Sequence, residues 1–452
     1  MTKAEACDLV YKSFLKAQKY QDYHARDSVK RRPDLTRNLI HLRAGTACVL
    51  ITGSKGKGAV ATMISQILQT RLKVGLMTSP HIVDFCERFR INGLKISDED
   101  FVRHMAAIQP EIDAIERKLP ENVCISPMGI QAALGLEYFN HLHTDFNVFE
   151  CGKGAQFDDV NNIPHQYAVI NSIFLEHTRE LGDTLEAIAA DKSHVISEEL
   201  KCAYLAEQSQ AVLDVFEKRA AAYGVPLKLY GRDFRAENIR YASEGMRFDL
   251  CVGSARYPDM TLPLLGDHQA RNCALAMALC RDVLGELNID EVKEKLSAIE
   301  WPGRMEVISQ DPFMLLDTCI HAASCENVKK VLKHLGLEKP TVIVAIPNDK
   351  DYRGVIREMH SVSGRIILSR SQSPHYVFSA EQCQVMANEG IATTWTQSID
   401  EAIGMAKELR LPIVILGTTS IVPEVKQYQS RTHSADRAAT AEVFRSGSPS
   451  AF

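Results

Sequence analysis

Residues 51–58 read Ile-Thr-Gly-Ser-Lys-Gly-Lys-Gly and follow the apolar run Ala47–Ile51 without a break. A helix-like stretch, Ala59–Thr70, comes straight after them. A buried strand that turns through glycines into a helix is the architecture of a phosphate cradle. Gly53, Gly56 and Gly58 lack a Cβ, so the backbone can wrap close to phosphate oxygens. Amide groups at the helix start face the anion, and Lys57 adds a mobile positive charge. The pattern points to a nucleoside triphosphate. It is shorter than G-x-x-x-x-G-K-[ST], and Ala59 offers no hydroxyl to a magnesium ion. A tight strand-to-helix turn with no ligand is the plainer alternative.

The chain has 452 residues, more than one ordinary core accommodates, so two or three domains are expected. Its net charge of −5 gives no support for binding nucleic acid or an anionic membrane. The short run Lys30-Arg31-Arg32 reads as solvated surface. Twelve cysteines are scattered without a C-x-x-C pair, several in apolar surroundings such as Cys48, Cys273 and Cys280. That usage fits reduced thiols in a cytoplasmic compartment better than a disulfide framework. The start Met1-Thr2-Lys3-Ala4-Glu5 lacks the apolar stretch of a secretory signal. No run approaches the roughly 18 apolar residues of a membrane span. A cytoplasmic protein that binds neither membrane nor nucleic acid is expected.

Strand and helix patterns alternate along the chain, which implies an α/β fold with a parallel sheet between helices. Strand candidates are 48–52, 74–78, 146–150 and 168–172. Helix candidates are 59–70, 98–115, 126–143, 184–197, 206–223 and 270–284. Between Leu227 and Leu265 the pattern shortens into alternating segments, read as a small antiparallel addition. Trp301-Pro302-Gly303-Arg304 breaks the pattern, and alternation resumes at 313–317, 341–346, 365–369 and 413–417. The expected division is a P-loop-type ATP-binding domain at 1–300, a smaller Rossmann-like domain at 301–430, and a loose tail at 431–452.

Four more segments put polar groups at the carboxyl ends of expected strands, where open α/β sheets bind ligands. They are Thr78-Ser79-Pro80-His81, Glu150-Cys151-Gly152-Lys153-Gly154, Glu176-His177, and Leu181-Gly182-Asp183-Thr184 with the later Asp191-Lys192. Each alone has an ordinary structural reading as a turn, cap or surface residue. Gathered near a phosphate loop, a hydroxyl, a carboxylate and an imidazole make a candidate Mg²⁺ site, since hard oxygen donors suit that ion.

These strings, with Arg88-Phe-Arg-Ile-Asn-Gly93, Gly266-Asp-His-Gln-Ala-Arg-Asn272 and Trp301-Pro-Gly-Arg304, resemble the folylpolyglutamate synthase family of the Mur-ligase superfamily. The likeness covers about residues 40 to 320 and continues more faintly beyond. It implies an ATP-dependent amide ligase using ATP and Mg²⁺, and acting as a monomer on a small carboxylate and an amino acid or amine. Lys55, Gly56, Lys57 and Gly58 match phosphate-binding residues. Ser79, Glu150 and His177 match magnesium ligands, and Lys192 matches a lysine that becomes a carbamate. Lys57, Lys192 and His177 are therefore the candidate catalytic residues. Asn272, Arg304 and Asp317 match residues that hold the nucleotide, and Asp158, with Gln156, falls on the acid-substrate side.

The chain departs from that pattern in four places. Ala59 replaces a hydroxyl residue, and Gly154-Ala155-Gln156 replaces glycine-glycine-arginine. Asp317-Thr-Cys-Ile320-His321-Ala322 replaces Asp-x-x-His-Asn-Pro, with the histidine one place late. Lys55 and Lys153 add positive charge. The changes fall more on the substrate side than on the nucleotide–metal core, so altered substrate choice is expected. The alternative is a catalytically impaired homologue that binds nucleotide and regulates or docks.

Overall fold

The computed structural model describes residues 1–20, 30–242, 245–374 and 376–431. Apart from Arg431, the tail expected at 431–452 lies outside them.

The strand Ala47–Thr52 is buried from Cys48 onward and has no polar side chain before its last residue. A strand of that kind needs cover on both faces, which places it in the middle of a sheet. Eight strands of the described residues form this sheet, in the order Leu227–Leu229, Cys202–Leu205, Tyr167–Ile170, Ala47–Thr52, Phe146–Glu150, Val74–Met77, Phe89–Ile91 and Leu94–Lys95. The first six run parallel. The last two fold back as an antiparallel edge.

Register decides what the sheet presents. Ile51 pairs with Glu150, Thr52 with Ile170, and Met77 with Phe149. Thr52, Glu150, Ile170 and Met77 therefore finish close to one edge, and the segments that follow them share that edge. The helix Lys57–Leu68 is buried from Gly58 to Ser65, and Asp267–Leu284 is buried from Cys273 to Cys280. The Cys280 thiol reaches the Ile64 carbonyl at 3.7 Å, so the two helices touch.

The chain forms two compact units. The first holds Met1–Ile239, Arg247–Leu262 and His268–Ile299, including the large sheet. The second holds the described residues from Glu300 onward with those of 240–246 and Pro263–Asp267. Its sheet runs Glu306–Gln310, Phe313–Asp317, Ile413–Gly417, Thr341–Ala345, Arg365–Leu368 and Thr394–Trp395. Only the first pair is antiparallel.

The α/β class and the antiparallel addition expected from the sequence are both present. That addition is the three-stranded sheet Phe234–Ala242, Gly245–Val252 and Ala255–Leu262. Its expected start at Leu227 is corrected: Leu227–Leu229 extends the large sheet in parallel, pairing with Ala203–Leu205. The helix expected from Ala206 begins at Gln210, because Ser209 is still extended. The one expected at 184–197 ends at Lys192 and passes into a 3₁₀ turn, Ser193–Val195. Among the described residues no helix is long and apolar enough to cross a membrane.

Candidate functional site

Gly56 ends the glycine loop in a left-handed conformation, φ +77°, which lets the helix begin at Lys57 rather than at Ala59. A Cβ there would lie 2.5 Å from the Asn171 amide nitrogen and 3.2 Å from that of Asn272. Glycine is thus required by conformation and by space. Asn171 and Asn272 are themselves joined, Nδ2 to Oδ1, at 3.0 Å. The loop is tied down further by Ser54 N–H donating to the Ser172 carbonyl at 3.0 Å.

Two lysines converge on this loop. Lys57 Nζ donates to the Gly53 carbonyl at 3.0 Å, and Lys192 Nζ donates to the same oxygen at 3.2 Å. Lys192 is buried, its side chain 1% exposed, and pairs with Glu176 Oε1 at 3.1 Å. Burial lowers the Lys192 pKa; the Glu176 carboxylate opposes that, while the nearby Lys57 ammonium adds to it. The neutral amine is the form that reacts with carbon dioxide to give a carbamate, and burial shifts Lys192 in that direction.

At the neighbouring strand ends, Glu150 is buried and its Oε2 accepts the Ser79 N–H at 2.9 Å. Arg88 is buried too. Its Nε donates to His81 Nδ1 at 2.9 Å and its Nη1 to Gln131 Oε1 at 2.7 Å. His177 is left-handed, φ +46°, about half exposed, and 3.9 Å from Glu176 Oε2. Its pKa is lowered by partial burial and by Lys153, against Glu176 and Glu180. Lys153 is itself paired with Glu180 at 2.8 Å.

The sequence-derived candidates in the first unit thus fall into two contacting sets. Lys57, Lys192 and Asn272 meet at the loop, with His177 linked to Lys192 through Glu176, and Ser79 meets Glu150. Lys55 is exposed on the loop. Asp158 is buried, and its carboxylate takes the Gly152 N–H at 2.6 Å and the Val160 N–H at 3.0 Å. Gln156 is exposed, with its backbone N–H on Asp191 Oδ1 at 3.4 Å. Arg304 and Asp317 belong to the second unit, where Arg304 Nη1 donates to Thr318 Oγ1 and Asp317 Oδ2 accepts the Met305 N–H at 2.9 Å. Glu176 and Arg88 stand in motifs quoted from the sequence but without a role assigned to them, and Asn171 is not named there. Glu176 had a signal in its place beside His177; the other two show their part only through tertiary contacts.

Another group of potential metal ligands is Asp84, Cys86 and Asp98. Lys3 bridges its two carboxylates at 2.8 and 2.7 Å and Lys95 also pairs with Asp84, so two ammonium groups already face the two carboxylates.

The Mur ligase middle-domain model matches residues 51–280, the glycine loop and the sheet edge included. The chain belongs to the Mur ligase family. Within it, the chain is a divergent member of the folylpolyglutamate synthase group, an ATP-dependent acid–amine ligase. It is 27% identical over 361 residues to the dihydrofolate synthase/folylpolyglutamate synthase of Bacillus subtilis, covering 78% of this chain and 83% of that one. Folylpolyglutamate synthase of Lacticaseibacillus casei is 26% identical over 384 residues, covering 83% and 88%. The Mycobacterium tuberculosis folylpolyglutamate synthase structure, solved in complex with ADP, superposes with a TM-score of 0.81 at 24% identity, covering 95% of this Mur ligase and 98% of the other. At that identity the structural likeness speaks for the fold.

Proposed function

We propose that this Mur ligase binds ATP with Mg²⁺ and joins a folate-type carboxylic acid to an amino acid through an acyl phosphate. The observation that carries the reading is the buried Lys192 beside Lys57, both directed at the carbonyl of the phosphate-loop residue Gly53. Two lysines on one turn, with Glu176 set against Lys192, suit a loop that holds a polyanion. Small-molecule substrates fit this site better than any macromolecular one.

In the first step an oxygen of the acid attacks the γ-phosphorus, and the bond to ADP breaks. In the second the amine attacks the acyl carbon, phosphate leaves, and the amine gives up a proton. Charge on the transferring group must be neutralised where it develops, and Lys57 would do so. The donors at the strand ends, Ser79 hydroxyl and Glu150 carboxylate with His177, fit a hard cation that keeps several waters. When bound, that cation would draw charge from the phosphate oxygens. A Lys192 carbamate would turn a buried cation into an anionic group for the same site. Asn272, Arg304 and Asp317 are assigned to the nucleotide, Asp158 and Gln156 to the acid side.

The relatives named above are described as dihydrofolate and folylpolyglutamate synthases. Folate-type acids and glutamate are therefore the first pair to test, and the Gln156 change is where substrate choice would shift. The decisive assay is phosphate release from ATP and Mg²⁺ across a panel of acids and amines. Release that requires both an acid and an amine supports ligation. Nucleotide binding with no turnover across the panel would favour the impaired, regulatory reading instead.

A further inference from the structure

Cys319 and Cys325 lie in the second unit, one just past the strand Phe313–Asp317 and the other in the first turn of the helix Ala322–His334. Their sulfurs are 3.6 Å apart, in a hydrogen bond, and both residues are buried, 2% and 0% exposed. Both thiols also lean on one acceptor, the His321 carbonyl, at 3.5 and 3.9 Å. The segment they bracket is the one that departs most from the family pattern, Cys319-Ile320-His321-Ala322.

We infer that Cys319 and Cys325 are a dithiol that hydrogen peroxide closes to a disulfide, a modification site built into the second unit. The sulfurs need to approach by only about 1.5 Å to reach a bond of about 2.05 Å. The Cys319 thiol is held protonated, first by its hydrogen bond with Cys325 and then by burial. Cys325 is assigned the attacking sulfur from its place in the first turn of the helix. That sulfur attacks one peroxide oxygen, the O–O bond breaks, and hydroxide leaves with the thiol proton as water. Cys319 sulfur then attacks the resulting sulfenic sulfur, the S–S bond forms, and the S–OH group departs as a second water.

The bond would also pull on the neighbours of Cys319. Thr318, which takes the Arg304 hydrogen bond, and Asp317, which takes the Met305 N–H, immediately precede it. Resting on the assignment of Arg304 and Asp317 to the nucleotide, disulfide closure weakens ATP binding.

Both sulfurs fall in one tryptic fragment, residues 305–329, because no Lys or Arg intervenes. The full chain is treated with peroxide, denatured, alkylated and digested. The expected result is that the doubly alkylated fragment falls about tenfold and an unalkylated form two hydrogens lighter replaces it. Dithiothreitol restores the original form. A fragment still doubly alkylated at a dose that oxidises the partly exposed Cys7 and Cys383 overturns the inference, as does sulfinic acid without linkage. Cys325→Ala must abolish the lighter form; Cys319→Ala, scored alongside, gives the same answer if the first variant fails to fold. Nucleotide affinity of the oxidised chain is then read against the reduced one. No change there removes the link to ATP while leaving the disulfide, and no binding even in the reduced chain counts against the ligase reading alone.

Discussion

The ammonium groups of Lys57 and Lys192 donate to one and the same oxygen, the Gly53 carbonyl, at 3.0 and 3.2 Å. Two like charges on one acceptor repel, and the Glu176 carboxylate beside Lys192 offsets part of that repulsion. Lys192 is the deeper of the two and has Glu176 at 3.1 Å. Lys192→Ala removes the amine proposed to form the carbamate and leaves Glu176 with His177, at 3.9 Å, as its remaining partner. Turnover in the phosphate-release assay is expected to fall at least about 10²-fold, the scale of losing one preorganised charge in a dry site. Acetate or formate in the buffer should restore part of it by standing in for the carbamate. Undiminished turnover in that variant would take Lys192 out of the reaction.

Gly56→Ala tests whether the loop is shaped by geometry. The new Cβ must accept φ +77° and a 2.5 Å approach to Asn171 Nδ2. The first costs about 1–3 kcal/mol for a non-glycine residue, and the second forces the Asn171–Asn272 pair to move. The expected outcome is a lower urea midpoint together with weaker nucleotide binding. Adding Asn171→Ala relieves the contact and leaves the backbone strain, so the double variant should recover only part of the stability. Full recovery would show that φ is not a constraint there.

His165 supplies a pH signature of the fold. It is buried, with Nδ1 at 2.7 Å from the Ile163 carbonyl and Nε2 at 2.8 Å from the Val195 carbonyl. Burial lowers its pKa, and the two carbonyls raise it by less. The native state therefore holds fewer protons than the unfolded chain just below pH 6.5, the ordinary histidine value. Stability is full above that pH and is lost as pH falls toward the lowered folded value, by at most about 1.4 kcal/mol per pH unit. Urea midpoints measured between pH 7 and 5 should drop more steeply for the native chain than for His165→Gln. Parallel curves would mean that His165 does not titrate differently in the two states.

What the sequence disclosed follows from how local each signal is. The strand Ala47–Thr52, the glycine turn and the helix after it are consecutive, and glycine spacing and apolar runs report them directly. Leu227–Leu229 was misassigned because a three-residue edge strand has no pattern that names its partner. The strand Glu306–Gln310 and the hairpin Phe89–Lys95 were passed over, each being short and half polar. In the site, Lys57, Ser79, Glu150 and Lys192 were legible as polar residues at strand and helix ends. Arg88 heads a quoted motif, but its role was not legible, because its partners His81 and Gln131 are 7 and 43 residues away and lie on other elements.

Asp158 was expected on the acid-substrate side, yet its visible employment is structural. One carboxylate oxygen takes the Gly152 N–H at 2.6 Å, and the other caps the 3₁₀ turn Asp159–Asn162 through the Val160 N–H at 3.0 Å. Those bonds hold the loop that follows Glu150 and carries Gln156. Asp158→Ala leaves one buried and one partly buried amide without their acceptor, which costs about 2 kcal/mol. Asp158→Asn keeps an acceptor oxygen for one amide but sets an NH₂ group against the other, so it should recover only part of the loss. The informative measurement pairs urea midpoints with the KM for the acid in both variants. If Asp158 acts by shaping the loop, KM and stability recover together in Asp158→Asn. An asparagine variant with near-native stability and a KM as poor as the alanine variant's would mean that the carboxylate charge itself meets the substrate.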